Sequence, residues 1–219
     1  MSGSPAEMTW VVGHYVCLLF SLCFHEAAHA IVANRCGDPT AKLLGRATLN
    51  PLAHIDPIGT VAMPLVMMFT GFPYLFGWAK PVPVNPRNLR NMRRDEVLVS
   101  AAGPLSNILL ALTLLIVLKV VVLAAAMSTQ VGLLYILMKI LSYMVMVNFL
   151  LALFNLIPVP PLDGSHLLYP VLSPGGRRAL GQIGPFGIII AILVARHVLP
   201  LPMHLLDRFV MWFAFWGVN

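Results

Sequence analysis

The 219-residue sequence predicts an all-α polytopic membrane protein, and three observations predict it. The chain is 59% hydrophobic and only 10% charged, whereas a soluble domain carries about 25% charged residues. Its mean hydropathy is +0.86. The apolar residues are gathered into long stretches separated by short Pro-, Gly- and Arg-bearing connections, the pattern of helices that cross a bilayer. About four to six transmembrane helices are expected, with one re-entrant or interfacial segment and a short β-like stretch near residues 41–49, all in one domain over residues 1–219.

Each element follows in order. Segment A, Met8 to Ala33, is apolar from Trp10 to Phe24 without a charged side chain, and it ends in Asn34-Arg35-Cys36-Gly37-Asp38-Pro39, a cluster of helix-stop residues. Ala41 to Leu49 is short and mixed, reads as extended, and offers an edge that extended substrate backbone could pair with. Segment B, Ile58 to Phe76, is apolar but interrupted by Pro64, Gly71 and Pro73. A polar stretch from Lys80 to Glu96 follows. Segments C (Val97 to Ala126) and D (Val131 to Ile157) are long and apolar, and D runs into a proline-rich loop, Pro158-Val159-Pro160-Pro161. Segment E covers Leu180 to Leu199. The apolar, aromatic tail from Met203 to Val218 contains Asp207 and Arg208, so it either crosses or lies in the interface.

Within segment A lies His25-Glu26-Ala27-Ala28-His29. Positions i and i+4 share one helix face, so both imidazoles can grip one Zn²⁺, and Glu26 can reach a water on the metal's open side. Ionisable groups inside an apolar segment carry an insertion cost, which makes a functional role the default. A catalytic zinc usually takes three protein ligands. The best third one is Asp163, which follows the prolines that end segment D. Irregular backbone of that kind is tolerated in a membrane only where protein shields it or a wet cavity borders it.

Depth constrains the path of the chain. His25 lies 15 residues beyond Trp10, about 22 Å along a helix in a ~30 Å hydrocarbon core. It is therefore near the far end of A, while Asp163 is at the far end of D. Sharing a metal requires A and D to run in the same direction. Segment C crosses, so B cannot be a full crossing. With B held to one side, that side collects Arg35, Lys42, Arg46, Lys80, Arg87, Arg90, Arg93, Arg94, Arg177 and Arg178, which makes it cytoplasmic by the positive-inside rule. The net charge of +6 is thereby explained by orientation and lipid contact, and no nucleic-acid motif accompanies it. Cys17, Cys23 and Cys36 form no C-x-x-C pair and read as small buried residues.

These residues resemble the site-2 protease family of intramembrane zinc metalloproteases, in its compact prokaryotic form. Phe24 to Ala30 looks like that family's metal-binding helix. Asn50 to Thr60 and Gly77 to Pro86 are similar to blocks of its prokaryotic branch. Ala102-Gly103-Pro104-Leu105-Ser106-Asn107 resembles its Gly-Pro-x-x-Asn block, and Asn155 to Gly164 the block that supplies the third ligand. The resemblance implies one Zn²⁺ per chain held by His25, His29 and Asp163, with Glu26 acting on the water. It further implies membrane-protein substrates cut within or beside a transmembrane helix in a prokaryotic cell membrane. Asn155, inside the last block, is the first choice for an oxyanion donor; Asn107 and Asn148 read as helix-packing amides. His54, Asp56, His14 and His166 read as loop, turn or supporting groups. The competing readings are a metal-ion transporter, which would spread polar residues along a whole path, and an inactive membrane adaptor, which would lack a member of the constellation.

Overall fold

A computed structural model describes residues 5–70, 77–128 and 131–218, and the described chain contains nine α-helices and no strand. Three helices are long and apolar enough to span a membrane: α1 (Pro5–Arg35), α4 (Met92–Ala126) and α5 (Val131–Asn155). Between the first two lie α2 (Thr40–Leu43) and α3 (Met63–Thr70). After them come α6 (Asp163–Leu168), α7 (Pro174–Gln182), α8 (Gly187–Val198) and α9 (Pro200–Phe215). Helices α7 and α8 meet at 92° and make a fourth span only if taken as one bent unit. The chain is an integral membrane protein.

Packing follows small residues and γ-branched partners. On one half of the bundle Ala111, Leu115, Leu118 and Val122 of α4 interlock with Leu141, Val145 and Phe149 of α5, and Val210 and Ala214 of α9 complete the cluster. Lys119 turns its ammonium to the carbonyls of Ala214 and Trp216, satisfying the C-terminal end of α9 where its dipole is negative. The apolar tail thus packs on α4 and α5 as a 16-residue helix. On the other half, α1 packs against α4 around Ala33, Leu89 and Val99.

The expected extended stretch at 41–49 is not extended. Asp38 accepts hydrogen bonds from the Thr40 amide (3.1 Å) and hydroxyl and so starts a helical turn. The amides of Leu43, Leu44, Gly45 and Arg46 then bond to Pro39, Thr40, Lys42 and Ala41 carbonyls. With those donors satisfied locally, the stretch offers no free edge. The mixed polarity that suggested a strand is outweighed by a cap and a tight turn, ended by Gly45 at φ +68°.

Among the described residues segment B forms no single helix long enough to span. Asp56 caps a π-helical turn over Pro57–Ala62, accepting from Ile58 N (3.0 Å) and Gly59 N (2.7 Å), and α3 adds only eight residues. Gly71 and Pro73 lie outside the described residues. The chain nevertheless resumes where it left: Trp78 N donates to Gly59 O (3.3 Å), Thr60 Oγ1 donates to Trp78 O (2.8 Å), and Lys80 N to His54 O (2.9 Å). Departure and return at one level define a hairpin. With α4 crossing back, α5 runs parallel to α1, so the ends of α1 and α5 that bear His29 and Asn155 share one side.

That side is tied together by Asp38, which is fully buried beyond Gly37, the residue that ends α1 at φ +111°. Besides Thr40 it accepts from Asn85 N (2.7 Å) and Asn88 Nδ2 (2.9 Å). Burial alone would push its carboxyl up; the donors from Thr40, Asn88 and Asn85 outweigh burial and hold it below the usual carboxylate range.

Two outcomes are expected. In a background lacking the native cysteines, single cysteines at Leu44 and Asn91 will react with an impermeant thiol reagent from the same side of the membrane; labelling from opposite sides would mean that B crosses. Because the native Asp38 pKa is depressed, its contribution to stability is present above the unfolded value of about 3.9 and is lost as pH falls through the native value. Acid melting curves in detergent will show this component in the parent protein and not in Asp38→Asn, whose melting temperature will already be low at neutral pH.

Candidate metal centre

The centre is built from two turns of α1 and the first residue of α6. His25 and His29, 4% and 8% exposed, project from one face of α1. Asp163 reaches them because α5 stops at Asn155 and the chain folds back through turns at 156–162. Gly164 allows that return: a Cβ there would lie 2.3 Å from Leu156 O. Ile157 and Leu162 pack with Ala191 of α8 behind the loop. His25 Nε2 and His29 Nε2 are 3.1 Å apart, and Asp163 Oδ2 lies 3.0 and 3.3 Å from them. Among the described residues this is the one group of three or more His, Cys, Asp or Glu able to hold a metal ion.

The far nitrogens decide what the near ones can do. His29 Nδ1 sits 2.7 Å from Val99 O, a carbonyl that can only accept, so Nδ1 carries the proton. His25 Nδ1 sits 2.6 Å from Asn107 Oδ1. The Asn107 amide cannot be reversed, because its Nδ2 donates to the Ser21 carbonyl (3.1 Å), so His25 Nδ1 is also the donor. In the neutral imidazoles both Nε2 atoms are therefore bare lone pairs. They converge on a carboxylate oxygen that makes no hydrogen bond of its own.

Three converging acceptors without a proton among them call for a cation. A tetrahedral Zn²⁺ with bonds of about 2.0–2.1 Å places its ligand atoms about 3.3 Å apart, which matches the observed triangle, and His₂Asp is a zinc donor set. Space for the ion is provided by Gly103 of α4: a Cβ at that position would fall 2.3 Å from His29 Nε2 and 2.6 Å from His25 Nε2. The residues present fit the metal.

Glu26 is held from outside α1. Its Oε2 accepts the Val82 amide at 2.9 Å. Val82 stands between Pro81 and Pro83, neither of which has an N–H, in an irregular segment pinned at Lys80 to His54 and at Asn85 to Asp38. The loop returning from the hairpin thus orients the carboxylate next to the metal ligands. The sequence signalled this contact only indirectly, by leaving one donor among three consecutive residues. Val99 O carried no side-chain signal.

The other candidates separate cleanly. Asn155 donates from Nδ2 to Leu151 O (2.9 Å), a bond within its own helix. His54 is buried and bonded through Nε2 to Thr48 O (2.8 Å), and Asp56 is the cap described above. His14 stacks on Tyr143 at 4.0 Å. His166 pairs with Glu96 of α4 at 3.2 Å, fastening α6 to that helix.

A buried His₂-carboxylate triangle beside a glutamate, at one end of a helical membrane bundle, defines a metallohydrolase centre, and the chain belongs to peptidase family M50, the site-2 protease family, whose model matches residues 14–137 and 119–195. Among its relatives is YwhC of Bacillus subtilis, named as a candidate zinc metalloprotease, 39% identical over 196 residues that cover 87% of this chain and 82% of YwhC. Rip2 of Mycolicibacterium smegmatis, named likewise, is 30% identical over 176 residues; the match takes in 80% of this chain and 63% of Rip2. Rip3 of Mycobacterium tuberculosis is 27% identical over 201 residues, 41% of its own length. No solved structure matches the chain significantly.

Gly103→Ala will test the space for the ion. The added methyl collides with both Nε2 atoms, so bound zinc will fall below one tenth of the parent's while the protein still elutes as a folded species in detergent. Full zinc occupancy in Gly103→Ala would show that the ion does not sit between these three side chains.

Proposed function

We propose that the protein is a membrane-embedded zinc endopeptidase that hydrolyses peptide bonds within or next to transmembrane helices of substrate proteins. The observation that carries this reading is the triangle of His25 Nε2, His29 Nε2 and Asp163 Oδ2 with Glu26 alongside. Family membership and the names of the relatives support zinc proteolysis. The position of the triangle in the bundle supports a substrate that is itself in the membrane, since the site is built from α1, α4 and the loop after α5, all at one end of the spanning helices. The whole chain from residue 1 to 219 acts as the catalytic domain.

Zinc would be held by His25, His29 and Asp163 and would supply Lewis acidity toward a carbonyl and toward water. Glu26 is placed to accept a proton from water and to return it to the leaving amine. The Val82 amide keeps its carboxylate pointed and leaves the second oxygen, Oε1, to handle the proton. Asn107 and Val99 hold the two imidazoles in the tautomer that coordinates. Asn155 is the proposed oxyanion donor: it stands where α5 breaks, close in the chain to Asp163, and would exchange its bond to Leu151 O for the developing charge. By the distribution of Lys and Arg the site faces the cytoplasmic side of a prokaryotic cell membrane. A metal transporter would need ligand groups along a continuous path; among the described residues, His25, His29 and Asp163 form the one group able to hold a metal ion.

Purified protein will contain about one zinc per chain, and His25→Ala, His29→Ala and Asp163→Ala will each deplete it. Glu26→Gln will keep the zinc and lower cleavage of a transmembrane reporter by at least about 1000-fold. Asn155→Ala will keep the zinc and lower kcat about 100-fold. Cleavage by Glu26→Gln at the parental rate, or full zinc in Asp163→Ala, would overturn the assignment.

A further inference from the structure

Asn107 is held in turn by a second asparagine, and the chain of bonds has only one consistent direction. Asn107 Nδ2 donates to Asn148 Oδ1 of α5 at 2.8 Å. Asn148 Nδ2 donates to Met144 O (2.8 Å) and to Ser21 Oγ (2.9 Å). Ser21 Oγ spends its single proton on Cys17 O at 2.9 Å. Ser21, Asn107 and Asn148 are each 0% exposed. The three carbonyls at the ends, of Cys17, Ser21 and Met144, can only accept. They fix the serine hydroxyl and both amides, leaving one outlet: Asn107 Oδ1 faces His25 Nδ1 and must receive its proton.

We infer that Asn148 is a positioning residue for the metal centre, acting on His25 through Asn107. Without the Asn148 oxygen, Asn107 Nδ2 keeps one partner, the Ser21 carbonyl, and one buried N–H loses its acceptor. The Ser21 carbonyl alone then holds the amide the right way round, and the side chain turns off His25 Nδ1 more readily, which takes away the acceptor that keeps the imidazole proton on Nδ1 and Nε2 bare. The arrangement also explains why two amides sit fully buried in a bundle whose packing needs only apolar groups. Ordinary helix-packing amides bond to a neighbouring helix and stop there; this pair ends on a metal ligand. Outer partners of a coordinating histidine typically change metal affinity 10- to 100-fold.

The inference rests on zinc being bound at His25, His29 and Asp163, and the test separates the two. Zinc dissociation constants are measured by chelator competition on the full-length protein in detergent, for the parent, Asn148→Leu, Asn107→Ala and the double variant, each with its melting temperature. Asn148→Leu removes donor and acceptor at similar volume and is expected to weaken zinc at least 10-fold. In the Asn107→Ala background the same change is expected to weaken it less than 2-fold, because the route to His25 is already cut. If Asn148→Leu fails to fold, Asn148→Ala takes its place. A parent that binds no zinc overturns the zinc reading itself. A parent that binds zinc, with Asn148→Leu unchanged or with the loss equally large in the Asn107→Ala background, leaves the zinc reading standing and overturns the positioning role.

Discussion

Inside an apolar bundle every hydrogen-bonding group has to find its partner within the protein, because hydrocarbon supplies none. That constraint shapes this chain from end to end. It sets the imidazole tautomers, since Val99 O and Asn107 Oδ1 leave the Nδ1 protons only one place to go. It turns the Lys119 ammonium onto the carbonyls that finish α9. It closes the hairpin by pairing Gly59 and Thr60 with Trp78. Once those demands are met, two imidazole lone pairs and a carboxylate oxygen remain, all facing one another. A divalent cation resolves that conflict, and the absence of a side chain at Gly103 leaves room for it.

The same accounting joins stability to chemistry. The residues that anchor the loops at the metal-site end of the bundle also orient the candidate reacting groups. Asp38 collects amides from both sides of the hairpin return, and that return carries Val82 to Glu26. Glu96 holds His166 and with it the short helix that begins at Asp163. An orphaned buried polar atom costs about 1–3 kcal/mol, so disturbing these supports would loosen the site before it unfolded the bundle. The apolar half around Leu118 and Val145 has no such coupling and serves as the rigid floor.

Much of the arrangement was legible from residue order. The i, i+4 spacing of His25 and His29 puts both on one face of any helix, and an apolar helix there was unavoidable from Trp10 onward. The depth of His25 and the position of Asp163 after the prolines forced α1 and α5 to be parallel, which in turn forbade B to cross; the hydrogen bonds of Trp78 agree. The mixed pattern at 41–49 points to an extended stretch, but Asp38 accepts from the Thr40 amide and hydroxyl and the chain turns there instead. Against the four to six spans expected, the described residues supply three long helices, or four if α7 and α8, bent by 92°, make one span. Asn155 drew attention by its place in the sequence, and its amide is engaged with its own helix.

By itself, the sequence determined the class of the molecule and singled out His25, Glu26, His29 and Asp163 as candidates, because each of those depends on local spacing or on where polar residues interrupt apolar runs. Only the tertiary structure decided what holds them. Val82 lies 56 residues from Glu26, Asn107 lies 82 from His25, and Asn148 lies 127 from Ser21. No periodicity links residues so far apart. A backbone carbonyl such as Val99 O leaves no mark in the sequence at all, and a buried asparagine looks the same whether it packs two helices or sets a tautomer. The direction of a hydrogen bond depends on every partner around it, and those partners are assembled only when three helices meet.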